Sequence, residues 1–455
     1  MADFDLIVIG GGTGNNVAAA GADAGLETAL VEPGPLGGTC LNRGCNPSKM
    51  LIQAANAATN VREADRFHVD ATLNGIDHRA VVDEMDDTLS GLAETKEAGF
   101  REKANLTLFD ESTEFVGDRT LALGGDEVTA ERIVVATGST PIIPPIDGLD
   151  DIDYLTSQDA LYLREPPESL VILGGGYIAV ELGYAFEALG TAVTMVEMMD
   201  SLIPREDGDV ATAFTEIAAD RHDVYTGHRV MAVEKQGEGH AVHAETEAGD
   251  ELTVEGSEVL VALGRRPNSD ELGLDRAGID TDDRGFIETN EYLETTADGV
   301  FAQGDVADNA MFKHSGDYET RFAIRNAVHD ENAAIDLSAM PHTIFTEPQI
   351  AGVGATEDEL TEDNISYRAG RATFADSAMG RAKKLEDGFV KVLAGDDGEI
   401  LGTHILGVEA STLIHEAVVA MRHNLTVDDV ADTIHAHPTL SRVVEAAFQD
   451  VADKR

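Results

Sequence analysis

Two glycine-rich turns, each set between a short apolar strand and a helix, constrain the fold of this 455-residue chain more than any other feature. The first turn follows the apolar residues 5–9, and the second follows residues 170–173. In both places the helix leads to another short apolar strand that ends in an acid, Glu32 in the first copy and Glu197 in the second. A single such turn is weak evidence, but the full order of strand, turn, helix, strand and acid occurring twice is strong. The sequence therefore predicts two halves of the kind that bind dinucleotides.

The residue types in these turns match the chemistry of a dinucleotide. Glycines let the backbone approach a pyrophosphate, the helix N-terminus attracts its negative charge, and the acid accepts hydrogen bonds from ribose hydroxyls. The candidate binding residues are Gly10, Gly12, Gly14 and Glu32 in the first copy and Gly174, Gly176 and Glu197 in the second. Asn15 stands where the third glycine of the fingerprint is usual. We therefore expect looser packing of the first helix against its strand.

The chain has only two cysteines, Cys40 and Cys45, and they lie beside Gly44. Along a straight helix their Cα atoms would be more than about 7 Å apart, which exceeds the usual span of a disulfide. The turn must be distorted for the sulfurs to bond, and Gly44 permits that distortion. A structural disulfide across so short a loop adds little stability, and a zinc site needs more cysteine or histidine ligands than the segment has. The pattern favours a redox-active disulfide.

A helix is predicted directly after the second cysteine. Asn46 and Pro47 suit the N-cap and the first helical position, and the Ala-rich residues 48–61 continue the helix. A helix N-terminus beside the sulfurs favours the thiolate that a nucleophilic or electron-accepting cysteine requires. Because a disulfide takes up electrons in pairs, we expect one dinucleotide to be a flavin and the other a nicotinamide coenzyme that donates hydride.

The formal net charge of −53, from 85 acidic and 32 basic residues, is spread along the whole chain. On a chain that is 43% hydrophobic, a dispersed acidic surface is typical of a folded protein kept soluble in high salt, where self-repulsion is screened. We therefore expect a halophilic protein, with neither nucleic acid nor an anionic membrane as a partner. No apolar run reaches transmembrane length and the first residues lack the pattern of a signal peptide, so a cytoplasmic location is expected.

Further motifs along the whole chain resemble those of the flavoprotein disulfide reductases, which include glutathione, mycothione and mercuric reductases and dihydrolipoamide dehydrogenase. Residues 134–141 and 261–268 resemble the connectors after the flavin and nicotinamide halves, residues 300–306 the second flavin motif, and residues 344–348 the start of the dimerisation domain. The resemblance implies an α/β fold with two Rossmann-like dinucleotide-binding domains and a C-terminal α+β dimerisation domain. It also implies FAD, NADPH or NADH, and a homodimer. The implied bounds are 1–148 and 271–336 for the FAD-binding domain, 149–270 for the NAD(P)-binding domain and 337–455 for the dimerisation domain.

The resemblance also implies roles for individual residues. Cys45 would lie against the flavin as the charge-transfer thiolate, and Cys40 would be the interchange thiol that attacks the substrate disulfide. Lys49 and Glu181 occupy the places of an ion pair that the family sets near the flavin and the nicotinamide. His437 occupies the acid–base position, where it would serve Cys40 of the other subunit and protonate the departing thiol. The further cofactor contacts implied are Gly38, Thr39, Thr137, Gly138, Gly264 and Asp305, with Asp305 on the ribityl chain.

One position departs from the family pattern. The family has a glutamate five residues after the acid–base histidine, where it orients the ring, and here that position is Arg442. A cation cannot accept the imidazole proton, so Glu445 or a backbone carbonyl takes over, or the pair works differently.

The expected substrate is a charged low-molecular-weight disulfide. Residues 12–16 and 410–421 look closer to mycothione reductase than to dihydrolipoamide dehydrogenase. A halophilic, acidic relative of mycothione reductase implies bis-γ-glutamylcystine as the substrate, because halophilic archaea use γ-glutamylcysteine in place of glutathione. Arg43, between the cysteines, suits substrate carboxylates if it faces the cleft, and it is otherwise a solvent-facing arginine. Dihydrolipoamide dehydrogenase is the alternative, indicated by residues 435–440 and by Glu197. Mercuric reductase and a flavin redox sensor with little turnover are further alternatives.

The sequence leaves the coenzyme open. Glu197 favours a free ribose 2′-hydroxyl and repels a 2′-phosphate, which predicts NADH. Small-thiol reductases of the family commonly use NADPH, and Arg205, Arg265 or Arg266 could reach its phosphate.

Overall fold

The computed structural model describes residues 2–307 and 309–454 as a chain of alternating strands and helices. The strands are β1 (Phe4–Ile9), β2 (Thr28–Val31), β3 (Leu106–Phe109), β4 (Glu114–Gly117), β5 (Thr120–Leu123), β6 (Asp126–Val135), β7 (Ser139–Pro141), β8 (Ser169–Leu173), β9 (Ala192–Val196), β10 (Asp223–Tyr225), β11 (Arg229–Gln236), β12 (Gly239–Glu245), β13 (Glu251–Gly256), β14 (Glu258–Val261), β15 (Arg265–Pro267), β16 (Val300–Ala302), β17 (Pro341–Ile344), β18 (Gln349–Gly354), β19 (Arg368–Thr373), β20 (Phe389–Ala394) and β21 (Ile400–Gly407). The α-helices are α1 (Gly14–Asp23), α2 (Gly38–Asn42), α3 (Cys45–Arg62), α4 (His78–Arg101), α5 (Ser157–Leu161), α6 (Tyr177–Ala188), α7 (Gly208–Ala219), α8 (Lys313–Ala323), α9 (Glu357–Glu362), α10 (Ala378–Lys383), α11 (Ala410–Leu413), α12 (His415–Arg422), α13 (Val427–Ala431) and α14 (Ser441–Ala452).

The chain divides into two compact units. The first contains the residues up to Met50 together with Ala80–Ile142 and Gly264–Asp336. The second contains Leu51–Arg79, Ile143–Leu263 and the residues from Leu337 onward. The predicted bounds of the FAD-binding, NAD(P)-binding and dimerisation domains stay a prediction beside this division.

A mainly parallel sheet organises the first unit. Its strands run in the order β3-β2-β1-β6, β16 lies parallel to the C-terminal part of β6, and β5 and β4 continue the sheet as antiparallel strands from the N-terminal part of β6. Alternate residues of β1 enter two different cores: Ile7 and Ile9 pack in one, and Leu6 and Val8 pack in the other. A strand covered on both faces must be apolar throughout, which is why this one reads as a continuous hydrophobic run.

The two predicted connectors meet in the first unit. Strands β7 and β15 pair as an antiparallel ribbon, with Ser139 opposite Pro267 and Pro141 opposite Arg265. Segments that are distant in sequence therefore lie side by side at the end of the parallel sheet.

The second unit holds three sheets. A four-stranded parallel sheet in the order β10-β9-β8-β14 carries the second glycine-rich turn, and β11-β12-β13 form an antiparallel meander. The third sheet is antiparallel, in the order β17-β18-β21-β20-β19, and helix α14 packs on it through apolar side chains. The predicted α/β fold class is confirmed.

A buried lysine joins the parallel and antiparallel parts of the second unit. Lys391, on β20, forms ion pairs through its Nζ with Asp207 at 2.7 Å and Asp209 at 2.9 Å, and with Glu357. Its side chain is only 3% exposed. These three carboxylates lie close enough together to hold a metal ion, but the ammonium of Lys391 provides their positive charge.

In residues 2–307 and 309–454, no helix combines the length and the hydropathy that crossing a bilayer would need.

Candidate active site

The first glycine-rich turn, after β1, leaves no room for side chains. Gly10 has a φ of +110°, and a Cβ atom there would lie 2.2 Å from the carbonyl oxygen of Ala136. Gly38 approaches Gly12 so closely that a Cβ on Gly38 would lie 2.6 Å from the Gly12 Cα. Bare backbone of this kind is what a pyrophosphate needs in order to approach. The geometry fits the predicted role of these glycines beside FAD.

Asn15 does not loosen the helix after this turn. Gly14, the first residue of α1, makes the close approach, because a Cβ on it would lie 2.9 Å from both the Ala136 Cβ and the Val8 Cγ1. Asn15 is buried beside it, and its Nδ2 donates a hydrogen bond to the Gly11 carbonyl oxygen at 3.0 Å. The expected looser packing is therefore wrong, since Gly14 makes the close contact one position before Asn15.

Glu32, which follows β2, fastens the first turn. Its carboxylate oxygens accept hydrogen bonds from the backbone amides of Gly11 at 2.6 Å and Gly34 at 2.9 Å. A carboxylate oxygen can accept more than one hydrogen bond. Glu32 can therefore also accept from a ribose hydroxyl, as the sequence predicts.

The second turn repeats this arrangement. Glu197 accepts hydrogen bonds from the backbone amides of Gly175 at 2.5 Å and Met199 at 2.8 Å. Gly174 has a φ of +109°, and a Cβ there would lie 2.6 Å from a backbone carbonyl oxygen. A Cβ on Gly176 would meet no atom within 4 Å, so the backbone opens to a ligand at that point. The turn is shaped for a second dinucleotide.

The two cysteines lie on either side of a break between helices. Cys40 belongs to α2, and Cys45 is the first residue of α3. Between them Arg43 leaves the helical conformation, with φ −157° and ψ 23°. Gly44 packs so closely on Thr39 that a Cβ would lie 3.0 Å from the Thr39 carbonyl oxygen and Cγ2. The predicted distortion is confirmed, and Gly44 serves it through close approach rather than through a left-handed backbone.

Cys40 and Cys45 are both half-buried. The pKa of Cys40 is raised, first by its hydrogen bond with Cys45 and then by burial. The thiol form of Cys40 is thereby favoured over its thiolate. The first residue of a helix is where the helix dipole favours a thiolate.

The helix after the cysteines begins earlier than predicted. Because α3 starts at Cys45, Asn46 and Pro47 are its second and third residues rather than its cap and first residue. The Gly44 carbonyl oxygen accepts from the Ser48 amide at 3.0 Å and closes the first turn. The predicted N-cap is wrong by two residues, because Gly44 lets the chain enter the helix immediately.

Lys49 and Glu181 belong to different compact units. Lys49 lies on α3, where its Nζ is 3.3 Å from the Ser48 Oγ. Glu181 lies on α6 and accepts a hydrogen bond from the Phe345 amide at 2.9 Å. Their ion pair stays a prediction.

Asp305 belongs to a hydrogen-bonded cluster at the β7–β15 ribbon. It accepts a hydrogen bond from the Ser139 hydroxyl at 2.5 Å, and the Nε of Arg265 donates to the same hydroxyl at 2.8 Å. Burial lowers the pKa of Arg265, whereas Asp305 and Cys45 are near enough to act in the opposite direction. The guanidinium of Arg265 is thus in electrostatic reach of the cysteine segment.

The predicted contacts Thr137, Gly138 and Gly264 lie at the same ribbon. The Thr137 hydroxyl donates to the Asn268 carbonyl oxygen at 2.8 Å, and the Asn268 side-chain amide donates to the Thr137 carbonyl oxygen at 2.9 Å. Gly138 and Gly264 have φ values of +71° and +116°, which favour glycine. A Cβ on Gly138 would meet nothing within 4 Å, so this side of the ribbon is open to a ligand.

Two of the three arginines considered for a 2′-phosphate are engaged in the first unit. Arg265 binds Ser139, and Arg266 forms an ion pair with Asp270. Arg205 is exposed and acts electrostatically on Tyr177, the residue after the second turn. Arg205 is therefore the one of the three placed near that turn.

Glu319, on α8, is a candidate functional residue that the sequence did not reveal. It is fully buried and accepts hydrogen bonds from the Gly304 amide at 2.6 Å and the Ser315 hydroxyl at 2.8 Å. Burial raises the pKa of its carboxyl. Glu319 thereby fixes the backbone beside Asp305. An acid on a helix usually faces solvent, and no local pattern marks this one as buried.

His437 lies in the segment between α13 and α14 of the second unit and is exposed. The carboxylate of Glu445 forms an ion pair with Arg442 and lies 3.8 Å from the Nδ1 of His435. Glu445 and a backbone carbonyl were the two groups considered as replacements for the missing glutamate. Of these, Glu445 is engaged by Arg442 and His435 within the subunit.

Comparison with known proteins places these features in a family context. A model of the pyridine nucleotide-disulphide oxidoreductases matches residues 4–329, and a model of the dimerisation domain of the same proteins matches residues 340–448. The chain is 38% identical to dihydrolipoyl dehydrogenase 2 of Haloarcula marismortui, over 97% of this chain and 95% of that protein. It is 34% identical to mycothione reductase of Mycobacterium tuberculosis, over 98% of this chain and 99% of that protein. The solved structure of the HOCl-induced flavoprotein disulfide reductase RclA from Escherichia coli matches with a TM-score of 0.86 at 26% identity, covering 98% of this chain and 99% of that one.

Proposed function

This chain belongs to the pyridine nucleotide-disulphide oxidoreductase family, and from that premise we propose that it reduces bis-γ-glutamylcystine to γ-glutamylcysteine. The protein is an FAD-containing, NAD(P)H-dependent disulfide oxidoreductase, and its dimerisation domain supports a homodimer. The proposal adds the substrate, the roles of the site residues and the choice of coenzyme.

The position of Arg43 is the observation that carries the substrate proposal. Arg43 forms the break between the helices of Cys40 and Cys45, is only half exposed, and acts electrostatically on Arg265. A guanidinium on the segment that joins the two cysteines suits a substrate with carboxylates beside its disulfide. Bis-γ-glutamylcystine carries several carboxylates, whereas the ring of lipoamide is neutral.

The proposed mechanism follows from the two sulfurs. FAD held at the first turn by Gly10, Gly12 and Glu32 would supply the electron pair, taken from the nicotinamide coenzyme, that reduces the Cys40–Cys45 disulfide. Cys40 then attacks the substrate disulfide, forms a mixed disulfide and expels the first substrate thiol. Cys45 attacks Cys40, releases the second thiol and restores the enzyme disulfide. Two electrons and two protons are consumed for two thiols formed.

Proton transfer is assigned to a histidine. Because the pKa of Cys40 is raised, this thiol must lose its proton to a base before it attacks. We propose that His437 of the partner subunit is this base, and that it then returns the proton to the departing substrate thiol.

Dihydrolipoamide oxidation is the second candidate function. It is supported by the 38% identity to dihydrolipoyl dehydrogenase 2 of Haloarcula marismortui and by Glu197 at the second turn. Assays of the purified enzyme in molar KCl with bis-γ-glutamylcystine, oxidised glutathione and lipoamide compare the two candidates directly.

We expect Arg43→Ala to lower kcat/KM for bis-γ-glutamylcystine by about 10- to 150-fold, because a charge-assisted hydrogen bond is worth roughly 1.5 to 3 kcal/mol. Molar salt should move the loss toward the lower end of that range. The loss with lipoamide should be much smaller, since lipoamide has no carboxylate for Arg43 to bind.

Arg79→Ala is the matched control, because Arg79 is exposed and pairs only with Glu165 among the ion pairs of the described residues. This variant should leave kcat/KM unchanged for both substrates. Equal losses with both substrates in the Arg43 variant would make Arg43 structural. A wild-type preference for lipoamide would return the assignment to dihydrolipoamide dehydrogenase.

For the coenzyme we propose NADH. The two oxygens of Glu197 are already fixed by backbone amides, so the carboxylate is held where a ribose 2′-hydroxyl can donate to it. The same charge repels a 2′-phosphate, and Arg205 is the only one of the three arginines considered that could offset this repulsion.

We expect Glu197→Gln to lower kcat/KM with NADH by about tenfold or more, from the loss of a hydrogen bond to a charged group. The value with NADPH should hold or rise, because the repulsion is removed. Glu32→Gln is the matched control, since it changes the equivalent carboxylate of the first turn and should not alter the ratio of the two coenzymes. A wild-type enzyme that prefers NADPH would contradict the proposal.

A further inference from the structure

We propose that His435, held between Glu416 and Glu445, is a positioning residue that sets the orientation of His437 and replaces the carboxylate that position 442 lacks. The inference rests on the proposed function, because it takes His437 as the acid–base group.

The imidazole of His435 is locked in place on both edges. Its side chain is only 5% exposed, and its Nε2 lies against the carboxylate of Glu416 on α12. Its Nδ1 lies 2.9 Å from the Thr433 carbonyl oxygen and 3.8 Å from the Glu445 Oε1. Both ring nitrogens thus face oxygen atoms, which holds the ring in one orientation.

Arg442 completes the charge balance of this cluster. Its guanidinium pairs with Glu445, whose side chain is 8% exposed. Glu445 is then paired with the guanidinium of Arg442, and Glu416 lies against the imidazole of His435. A buried carboxylate without a partner is costly, so the cation at position 442 is explained by Glu445 rather than by His437.

The cluster fixes the backbone on one side of His437, and a second set of contacts fixes it on the other. The Thr439 hydroxyl donates to the Ala436 carbonyl oxygen at 2.7 Å and lies 2.7 Å from the Ser441 hydroxyl at the start of α14. His437 is therefore carried on a short segment clamped at both ends. A catalytic side chain on a rigid segment can keep its orientation without a carboxylate hydrogen-bonded to it. Orientation matters, because a small displacement of a catalytic group can lower the reaction rate about 100-fold.

The two half-reactions of the FAD-loaded homodimer separate this role from a general structural one. We expect His435→Ala to slow reoxidation of the reduced enzyme by bis-γ-glutamylcystine about 10- to 100-fold in rapid mixing. Flavin bleaching by NADH should keep the wild-type rate, because that step does not use His437. Glu416→Gln, which keeps the size of the side chain but removes its charge, should slow the same half-reaction to a lesser degree.

His423→Ala is the matched control, because His423 is an exposed histidine at the end of α12 and should leave both half-reactions unchanged. If both half-reactions slow together in His435→Ala and Glu416→Gln, or if neither does, the positioning role is wrong. His437→Ala distinguishes this failure from a failure of the proposed function. If His437→Ala slows reoxidation and the His435 and Glu416 variants do not, only the present inference falls. If His437→Ala has no effect, the acid–base assignment falls as well.

Discussion

Replacing Cys45 with serine should lower disulfide turnover by about a thousandfold or more and remove the long-wavelength absorption band of the two-electron-reduced enzyme. A hydroxyl can neither form the enzyme disulfide nor supply the thiolate that we propose lies next to the flavin. Replacing Cys40 should lower turnover equally but keep the band. The reason is the proposed division of roles between the sulfurs: Cys45 begins a helix, whereas the pKa of the Cys40 thiol is raised.

Anaerobic titration with one equivalent of NADH, followed by absorbance, measures both outcomes on the same samples. FAD content and thermal stability of each variant control for folding. The reverse pattern, with the band lost in Cys40→Ser and kept in Cys45→Ser, would exchange the roles of the two sulfurs. If both variants retained the band, neither cysteine would be its source.

Mixing two inactive homodimers should restore activity if the sites are shared between subunits. His437→Ala alone should lose about 100- to 10,000-fold in turnover, as expected for removal of a general acid–base group. In a heterodimer of Cys40→Ser and His437→Ala chains, one site carries both defects and the other carries neither. Random exchange of equal amounts makes half of the dimers heterodimers, so activity should return to about a quarter of the wild-type value.

The control mixture combines Cys40→Ser with Cys45→Ser. Both cysteines come from the same chain at each site, so every site in that heterodimer stays defective and no activity should return. Absence of recovery in the first mixture, despite subunit exchange shown by differently tagged chains, would mean that each site takes its histidine from its own subunit.

The parts of the fold that sequence predicted are those determined by local physics. The strands of both dinucleotide halves lie within one residue of their predicted positions, since apolar runs covered on both faces admit few other structures. Glycines with positive φ, such as Gly10 and Gly174, mark the turns because other residues are strained there.

The parts that sequence missed depend on contacts between distant segments. Asn15 was expected to loosen a helix, but whether it does so depends on Gly14 meeting Ala136, far along the chain. Glu319 is marked only by its hydrogen bond with Gly304, fifteen residues earlier in the chain. The start of α3 was misplaced for a related reason. A cap preference is worth only about 1 kcal/mol, which the packing of Gly44 on Thr39 can override.

Glu32 and Glu197 hold their turns through the same kind of hydrogen bonds, and this similarity bears on how long each dinucleotide remains bound. A prosthetic group is retained from one turnover to the next, while a coenzyme must leave every time, yet each acid holds its turn through a pair of backbone amides. Residence time is therefore not encoded in the turn itself. It has to be set by the chain that follows the acid. After Glu32 that chain enters helices α2 and α3, which carry the cysteines, and after Glu197 it presents two half-exposed methionines, Met198 and Met199. The same glycine-rich turn can thus serve a retained prosthetic group and an exchanging coenzyme, and the residues around the turn determine which of the two it binds.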